Sequence, residues 1–357
     1  MTDFTAMLVE THYWRVDPIN PDQDVITAAA RILRQGGLVA FPTETVYGLG
    51  ANALDSRAVK RIFIAKGRPA DNPLIVHVSD LEQAAAITAG LPPLAVKLAK
   101  AFWPGPLTLV LPKADAVPGE VTAGLDTVAV RMPDHRVALA LIRAAGLPVA
   151  APSANVSGRP SPTTGEHVRQ DLEGRVEVIL DAGPAPHGLE STILDLTTDV
   201  PVVLRPGGVT REALTRAIGT DVAVAGRGET ERPRAPGMKY RHYAPRGELY
   251  LVEGDRRGVP RRIAELAAEL KSAGHRVAVL CSAETARLLP CDRVYVMGLR
   301  DDPARVGARL YQLLRRCDED GVTAIVAEGV EPVGVGEAVM NRLRKAAGKV
   351  ITVGDDR

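Results

Sequence analysis

Two short segments carry most of the chemistry in this chain: Lys66-Gly67-Arg68-Pro69 and Pro152-Ser153-Ala154-Asn155. The first sets an ammonium and a guanidinium two residues apart. A lysine point charge beside an arginine fork is a good clamp for successive phosphates. The second follows an apolar run and sets Ser153 and Asn155 at its carboxyl end, where ligands of α/β sheets gather. No G-x-S-x-G or adjacent base marks a serine nucleophile, so both side chains suit neutral hydrogen bonds to phosphate or sugar oxygens. A third segment, Phe41-Pro42-Thr43-Glu44-Thr45-Val46-Tyr47-Gly48-Leu49-Gly50, completes the set. Together the three read as one pocket for a polyphosphate and an amino acid, which points to nucleotide-dependent adenylation. Singly, each has a plainer explanation. Cations after a helix suit its dipole, and Ser and Asn form turns.

Arg131 and Arg205 each end a short β-rich run and precede a proline-containing turn. Such residues usually sit on a solvated rim. Two at equivalent places in one domain favour recognition of carboxylate or phosphate. Residues 48–53 match G-x-G-x-x-A, but that fingerprint must close a strand and open a helix at once. Here Pro42 and Val46-Tyr47 intervene and the next helix begins near Ser56, so the match is accidental. G-x-x-x-x-G-K-[ST] is absent, so ATP would bind without a Walker motif. Seven scattered histidines and no paired cysteines make an all-protein zinc site a poor fit, and no metal ligands are assigned. Mg²⁺ carried by phosphates remains open, since it needs few protein ligands.

These residues must be held by elements legible in the hydrophobic pattern. Apolar β-rich runs fall at 38–41, 74–78, 107–111, 128–131, 148–151, 176–180, 191–196 and 202–204. Helical periodicity falls at 26–33, 59–64, 94–102, 137–142 and 212–218. Strands that follow one another directly, such as 107–111 and 128–131, predict some antiparallel pairing in a mixed sheet flanked by helices. From residue 221 to 246 the chain is rich in Arg, Pro and Gly with no apolar period, as in a linker. Beyond it β and α patterns alternate, which predicts a small parallel α/β domain. The expected division is therefore 1–220, 221–246 and 247–357.

Composition narrows the class. The chain has 357 residues, 46% of them apolar and only 4% aromatic, with a net charge of +1. No global field advertises nucleic acid or a membrane surface. Arginine outnumbers lysine by 35 to 9, a bias that codon usage or heat adaptation explains without function. Three cysteines without C-x-x-C spacing, an N-terminus without a basic or apolar leader, and no long apolar run together predict a cytoplasmic protein.

The ordered series F-P-T-E-T-V-Y-G-L-G, K-G-R-P-x-x-N-P-L, W-P-G-P-L-T-L-V (103–110), A-P-S-A-N-x-S-G and E-S-T-I (190–193) closely resembles the YrdC-like threonylcarbamoyl-AMP synthases. H-Y-A-P (242–245) and the α/β tail match their long two-domain form more loosely. The resemblance implies a YrdC-like catalytic domain with a twisted mixed sheet, a linker lying over the active site, and a small Rossmann-like α/β C-terminal domain. It implies synthesis of L-threonylcarbamoyl-adenylate from L-threonine, bicarbonate or CO₂, and ATP, with release of pyrophosphate. The product would feed the threonylcarbamoyl modification of tRNA through a downstream transfer machinery, with no stable tRNA binding required. Carried over by motif, Thr45, His77, Arg131, Ala151 and Ser191 would surround threonine. Arg68, Asn72, Thr127, Ser153, Ser161, Arg205 and Tyr243 would hold ATP, and Lys66, Arg68, Ser153 and Asn155 would form the catalytic cluster at the phosphates. A catalytically silent RNA-binding module and a carbamoyl transferase are the competing readings. Near-zero charge and the lack of zinc-type cysteines argue against them.

Overall fold

The computed structural model describes residues 9–226, 234–235 and 242–354. They divide into two compact units. Unit one holds 9–157, 161–186, 190–226 and 234–235; unit two holds 158–160, 187–189 and 242–354.

Unit one opens with β1 (His12–Arg15), α1 (Gln23–Arg34), β2 (Val39–Phe41), β3 (Gly48–Asn52), α2 (Ser56–Lys66) and β4 (Ile75–His77). It continues through α3 (Leu81–Ala86), α4 (Pro93–Phe102), β5 (Leu107–Pro112), α5 (Gly119–Thr122), β6 (Thr127–Arg131), α6 (Arg136–Ala145) and β7 (Val149–Ala150). It closes with α7 (Gly165–Leu172), β8 (Val178–Asp181), β9 (Thr192–Asp195), β10 (Val202–Arg205), α8 (Arg211–Ile218) and β11 (Ala223–Val224). The strands form one sheet in the order β1-β8-β2-β3-β7-β4-β6-β5-β9-β10-β11. Pairing is mixed: β5 and β6 run antiparallel, as direct succession predicts, while β4 and β6 run parallel.

Local chemistry sets the helix ends. The Asp22 carboxylate accepts from the Asp24 and Val25 amides to cap α1, and Ile26, Ala29, Ala30 and Leu33 form its buried stripe. Gly67 ends α2 in the left-handed region at φ 59°, between Lys66 in the last turn of the helix and Arg68 beyond it. The G-x-G segment is strand β3. A Cβ at Gly50 would lie 2.8 Å from both Phe41 and Val149, so glycine here serves close strand packing.

The two faces of the sheet are covered unequally. On the back, Ala40, Leu49, Val76 and Val130 pack with residues of α2, α5 and α7. Leu107, Leu109, Leu194 and Val203 pack there with α4 and α8. On the front, α1 and α6 cover Val39, Phe41, Val149, Val178 and Leu180. Farther along the same face, Ile75, Val110, Ala129 and Ile193 form a small cluster with Leu204 and Ala235 that contains no helix residue. The front of β4, β6, β5 and β9 is therefore where this unit leaves room for chemistry.

Unit two contains β12 (Glu248–Gly254), α9 (Val259–Ser272), β13 (Val277–Ser282), α10 (Ala283–Ala286), β14 (Val294–Gly298) and α11 (Pro303–Glu319). β15 (Ala324–Glu328), α12 (Val335–Ala346) and β16 (Lys349–Val353) complete it. Its five strands are all parallel, in the order β14-β13-β15-β12-β16. The α9 stripe of Val259, Ile263, Leu266 and Leu270 packs on Val252, Val279 and Val326.

Candidate active site

Strand register gathers the candidate residues into two groups on the front face of unit one. His77 lies opposite Arg131 in the β4–β6 pair. The β5–β6 ladder carries that row on to Thr108, which pairs with Ile193, and Ile193 pairs with Arg205. Residues aligned across a sheet project to the same side. His77, Arg131, Thr108 and Arg205 thus stand in one transverse row.

Arg131 is 3% exposed rather than on a solvated rim, and a buried guanidinium needs partners. Nε donates to the Gly105 carbonyl at 3.2 Å and Nη1 to Thr45 Oγ1 at 3.0 Å. Glu44 Oε1 lies 2.6 Å from Nη2, an ion pair by distance though poorly aligned for a hydrogen bond. A guanidinium has five N–H donors. Nη1 keeps one hydrogen beyond its bond to Thr45 and Nη2 makes no hydrogen bond, so donors remain on both Nη atoms for a carboxylate. Thr45 is itself held by Thr43, whose Oγ1 lies 2.9 Å away and donates to the Val46 carbonyl.

His77 is buried against Phe41, with ring centroids 6.0 Å apart in an edge-on arrangement. Burial, then the Arg131 charge, pushes its pKa down to about 3, so it is a neutral imidazole. Nδ1 is buried and has no hydrogen-bond partner among the described residues. Ser191 is fully buried, 2.7 Å from Thr108 Oγ1, and accepts from Arg205 at both its carbonyl and its hydroxyl. Gly207 permits this fit, because a Cβ there would meet the Thr192 nitrogen at 2.2 Å.

The second group lies at the other end of the same strands. Thr127 precedes Arg131 by four residues on one face of β6, about 13 Å at a strand rise of roughly 3.3 Å per residue. Asn72 leads into β4; its side chain is buried and Oδ1 lacks a partner among the described residues. Arg68 Nη2 lies 3.3 Å from the carbonyls of Asn72 and Pro73. β7 runs antiparallel to β4, so the chain leaving it heads for this end. The Ala151 amide donates to the Ile75 carbonyl at 2.8 Å, and the Ser153 hydroxyl then donates to Asn155 Oδ1.

Lys66 departs from the sequence expectation of a direct phosphate contact. It is 1% exposed, and its ammonium donates to the Ser153 and Asn155 carbonyls. Its immediate task is to lash that loop to the end of α2. Ser161 is buried and donates to Glu190, beside Ser191. Arg205 stands in the Arg131 row rather than with Arg68 and Asn72. Tyr243 belongs to unit two, where it stacks on Tyr311 with centroids 5.4 Å apart and lies under Arg342. Of the segment expected to lie over the site, residues 227–233 and 236–241 fall outside the described residues. Arg234 pairs with buried Asp195, and Ala235 packs on the front-face cluster. Sequence reasoning assigned no role to Glu44, Thr108 or Glu190, though each sits inside a quoted motif. For Thr108 the available signal was a polar residue interrupting an apolar run; Glu44 and Glu190 interrupt no such run and carry no such signal.

A family model described as telomere recombination matches residues 31–207, and one described as threonylcarbamoyl-AMP synthase, C-terminal domain, matches 209–348. The threonylcarbamoyl-AMP synthase of Pyrococcus abyssi is 53% identical over 90% of this chain and 94% of its own length. The chain belongs to the threonylcarbamoyl-AMP synthase family. The Bacillus subtilis member is 51% identical over 95% of this chain and 99% of its own. The solved structure of the P. abyssi Sua5 protein complexed with L-threonine superposes with a TM-score of 0.91 at 50% identity. That match covers 96% of this chain and 99% of the other, so the long two-domain form extends to both units. The family comprises nucleotidyl-transferring enzymes, which places this chain among enzymes rather than passive binding modules.

Proposed function

We propose that this chain joins L-threonine, CO₂ from bicarbonate, and ATP into L-threonylcarbamoyl-adenylate, releasing pyrophosphate. The observation that carries this reading is the two-ended front face: a carboxylate fork at Arg131 and a phosphate-type end at Arg68, Asn72 and Ser153. The roughly 13 Å between Arg131 and Thr127 suits an acyl-adenylate laid along the strands. The names of the relatives and the threonine complex of the P. abyssi protein support it.

Threonine's carboxylate takes the remaining Arg131 fork, with the Thr45 hydroxyl and Ala151 backbone near its polar head. Neutral His77 accepts a hydrogen bond at Nδ1 without adding charge. The free amine attacks CO₂, forming an N–C bond and releasing one proton. A carbamate oxygen then attacks the α-phosphorus as the bond to the β-phosphate oxygen breaks and pyrophosphate leaves. Two anions must approach, so cancelling repulsion matters more than supplying a nucleophile. Arg68 reaches the phosphates directly, Arg205 adds its positive charge from the Arg131 row, and Lys66 supplies a buried positive charge beneath the Ser153–Asn155 loop. Asn72 and Ser161 position the nucleotide. Ala235 packs on Ile75, Ala129 and Ile193 on this front face.

Among the described residues no group of three His, Cys, Asp or Glu side chains is placed to hold a metal ion. Mg²⁺ fits this site as an ion brought by the triphosphate, where it would neutralise phosphate charge. No helix among the described residues is long and apolar enough to cross a membrane. We assign the reaction to the cytoplasm, with tRNA met only by the downstream machinery that takes the adenylate.

Pyrophosphate release from ATP by the full chain tests the proposal. Release should require both L-threonine and bicarbonate and need no tRNA. Release independent of threonine would overturn it in favour of another carbamoylation or a simple ATPase.

A further inference from the structure

The second unit has a cavity of about 370 Å³, lined by three arginines and three glutamates among other residues, that the adenylation reaction does not use. It opens at the carboxyl ends of β12 and β15, which are neighbours in the sheet. From β12 the chain crosses toward the β13–β14 edge; from β15 it crosses back to β16 on the other side. The crevice between such strands is the topological switch point of a parallel sheet, where ligands of α/β domains bind.

The cavity's charges come in three pairs. Arg300 Nη2 lies 3.1 Å from Glu328, Arg344 Nε lies 2.9 Å from Glu253, and Arg256 pairs with Glu331. Glu328 is 3% exposed, and the Ser282 amide (2.6 Å) and the Thr285 hydroxyl (2.8 Å) also donate to it. It ends a wholly buried strand, Ala324–Glu328, at a place where packing alone would be served by an apolar residue. Arg344 donates to Glu253 through Nε, which keeps the Nη pair of its fork for the cavity. Val259 and Met340 supply an apolar wall.

We infer that this cavity binds a small zwitterion, specifically a free α-amino acid. A simple anion would face Glu253, Glu328 and Glu331, and a simple cation would face the three arginines. A molecule carrying carboxylate and ammonium two bonds apart meets an arginine fork and a glutamate together without leaving either partner uncompensated. The apolar wall takes its side chain. This would be a second amino-acid site, in the unit that does not hold the Arg131 fork.

Isothermal calorimetry on the full chain tests the inference, with the common L-amino acids titrated singly and inorganic phosphate as the anion probe. Three variants are compared: Arg131→Ala, which disables the first site, and Arg344→Ala and Glu253→Gln, both at a half-buried pair. At least one amino acid should bind Arg131→Ala as it binds the parent chain. Its affinity should fall by about tenfold or more in each of the other two. Hydrogen exchange should slow on that ligand at residues 253–259 and 328–344. No amino acid binding to Arg131→Ala at millimolar concentration would overturn the inference. So would binding of phosphate alone, or binding that Arg344→Ala and Glu253→Gln leave intact.

Discussion

At the scale of single residues, Arg131 and His77 show how burial turns ordinary side chains into specific ones. Two of the five Arg131 donors are bonded to Gly105 and Thr45 and Glu44 pairs with Nη2 by charge, so the guanidinium is held in one orientation. Lysine offers a point charge and no fork. Arg131→Lys should raise the KM for threonine by about tenfold to a hundredfold, the equivalent of roughly 1.5–3 kcal/mol. Steady-state pyrophosphate release checks this, and an unchanged KM would remove Arg131 from the amino-acid site. For His77 the sign of the pH effect follows from a folded pKa of about 3 against an ordinary 6.5. The unfolded chain takes up a proton that the folded chain refuses. Stability is therefore complete above about pH 6.5 and falls as pH drops toward 3, by about 1.4 kcal/mol per unit from this group. Nitrogen NMR of the imidazole should show it neutral at pH 5; a charged ring there would contradict the burial argument.

At the scale of elements, glycines decide where segments can touch. Gly207 follows Arg205 in the Pro-Gly turn and lies against the backbone of Glu190–Thr192. Gly207→Ala should destabilise the chain by about 1–3 kcal/mol or more through overpacking, and should displace Ser191 from Arg205. Urea unfolding together with the threonine KM reads both effects. A stable variant with normal kinetics would show that this loop has slack. The register row from His77 to Arg205 has a similar lesson. Four strands that are distant in sequence deliver one residue each, and a slip by one residue would turn every one of them to the back face.

At the scale of the molecule, each unit has its own core and its own chemistry. Unit two buries Cys281 and Cys317, whose thiols burial pushes up to about 12, while Cys291 is only half-buried. A disulfide-exchange reagent at pH 8 should therefore label one thiol quickly in the native protein and all three after denaturation. Rapid native labelling of Cys281 or Cys317 would mean that the parallel sheet of unit two opens readily. The 158–160 and 187–189 segments belong to unit two although they precede it in the chain. The Ala244 amide bonds to the Gly158 carbonyl, Arg315 to the Pro160 carbonyl, and Gly188 lies against Ala308.

Much of this was legible in the residue order. Apolar runs at 74–78, 107–111 and 128–131 became β4, β5 and β6, and the alternation after residue 246 became a parallel sheet. Side-chain periodicity reports which face of an element is buried, and that information is local. The ordered motifs, from F-P-T-E-T to E-S-T-I, likewise identified the family and its chemistry. β1 and β3 escaped because His12–Arg15 sets two adjacent aromatics between polar ends and Gly48–Asn52 is glycine-rich, so neither shows the alternation of a half-buried strand. Tertiary structure alone decided that Lys66 holds backbone carbonyls, that Glu44 braces Arg131, and that Arg205 shares a row with His77. Those facts depend on register and burial between segments far apart in the chain, and no local pattern of residues encodes the distance between them.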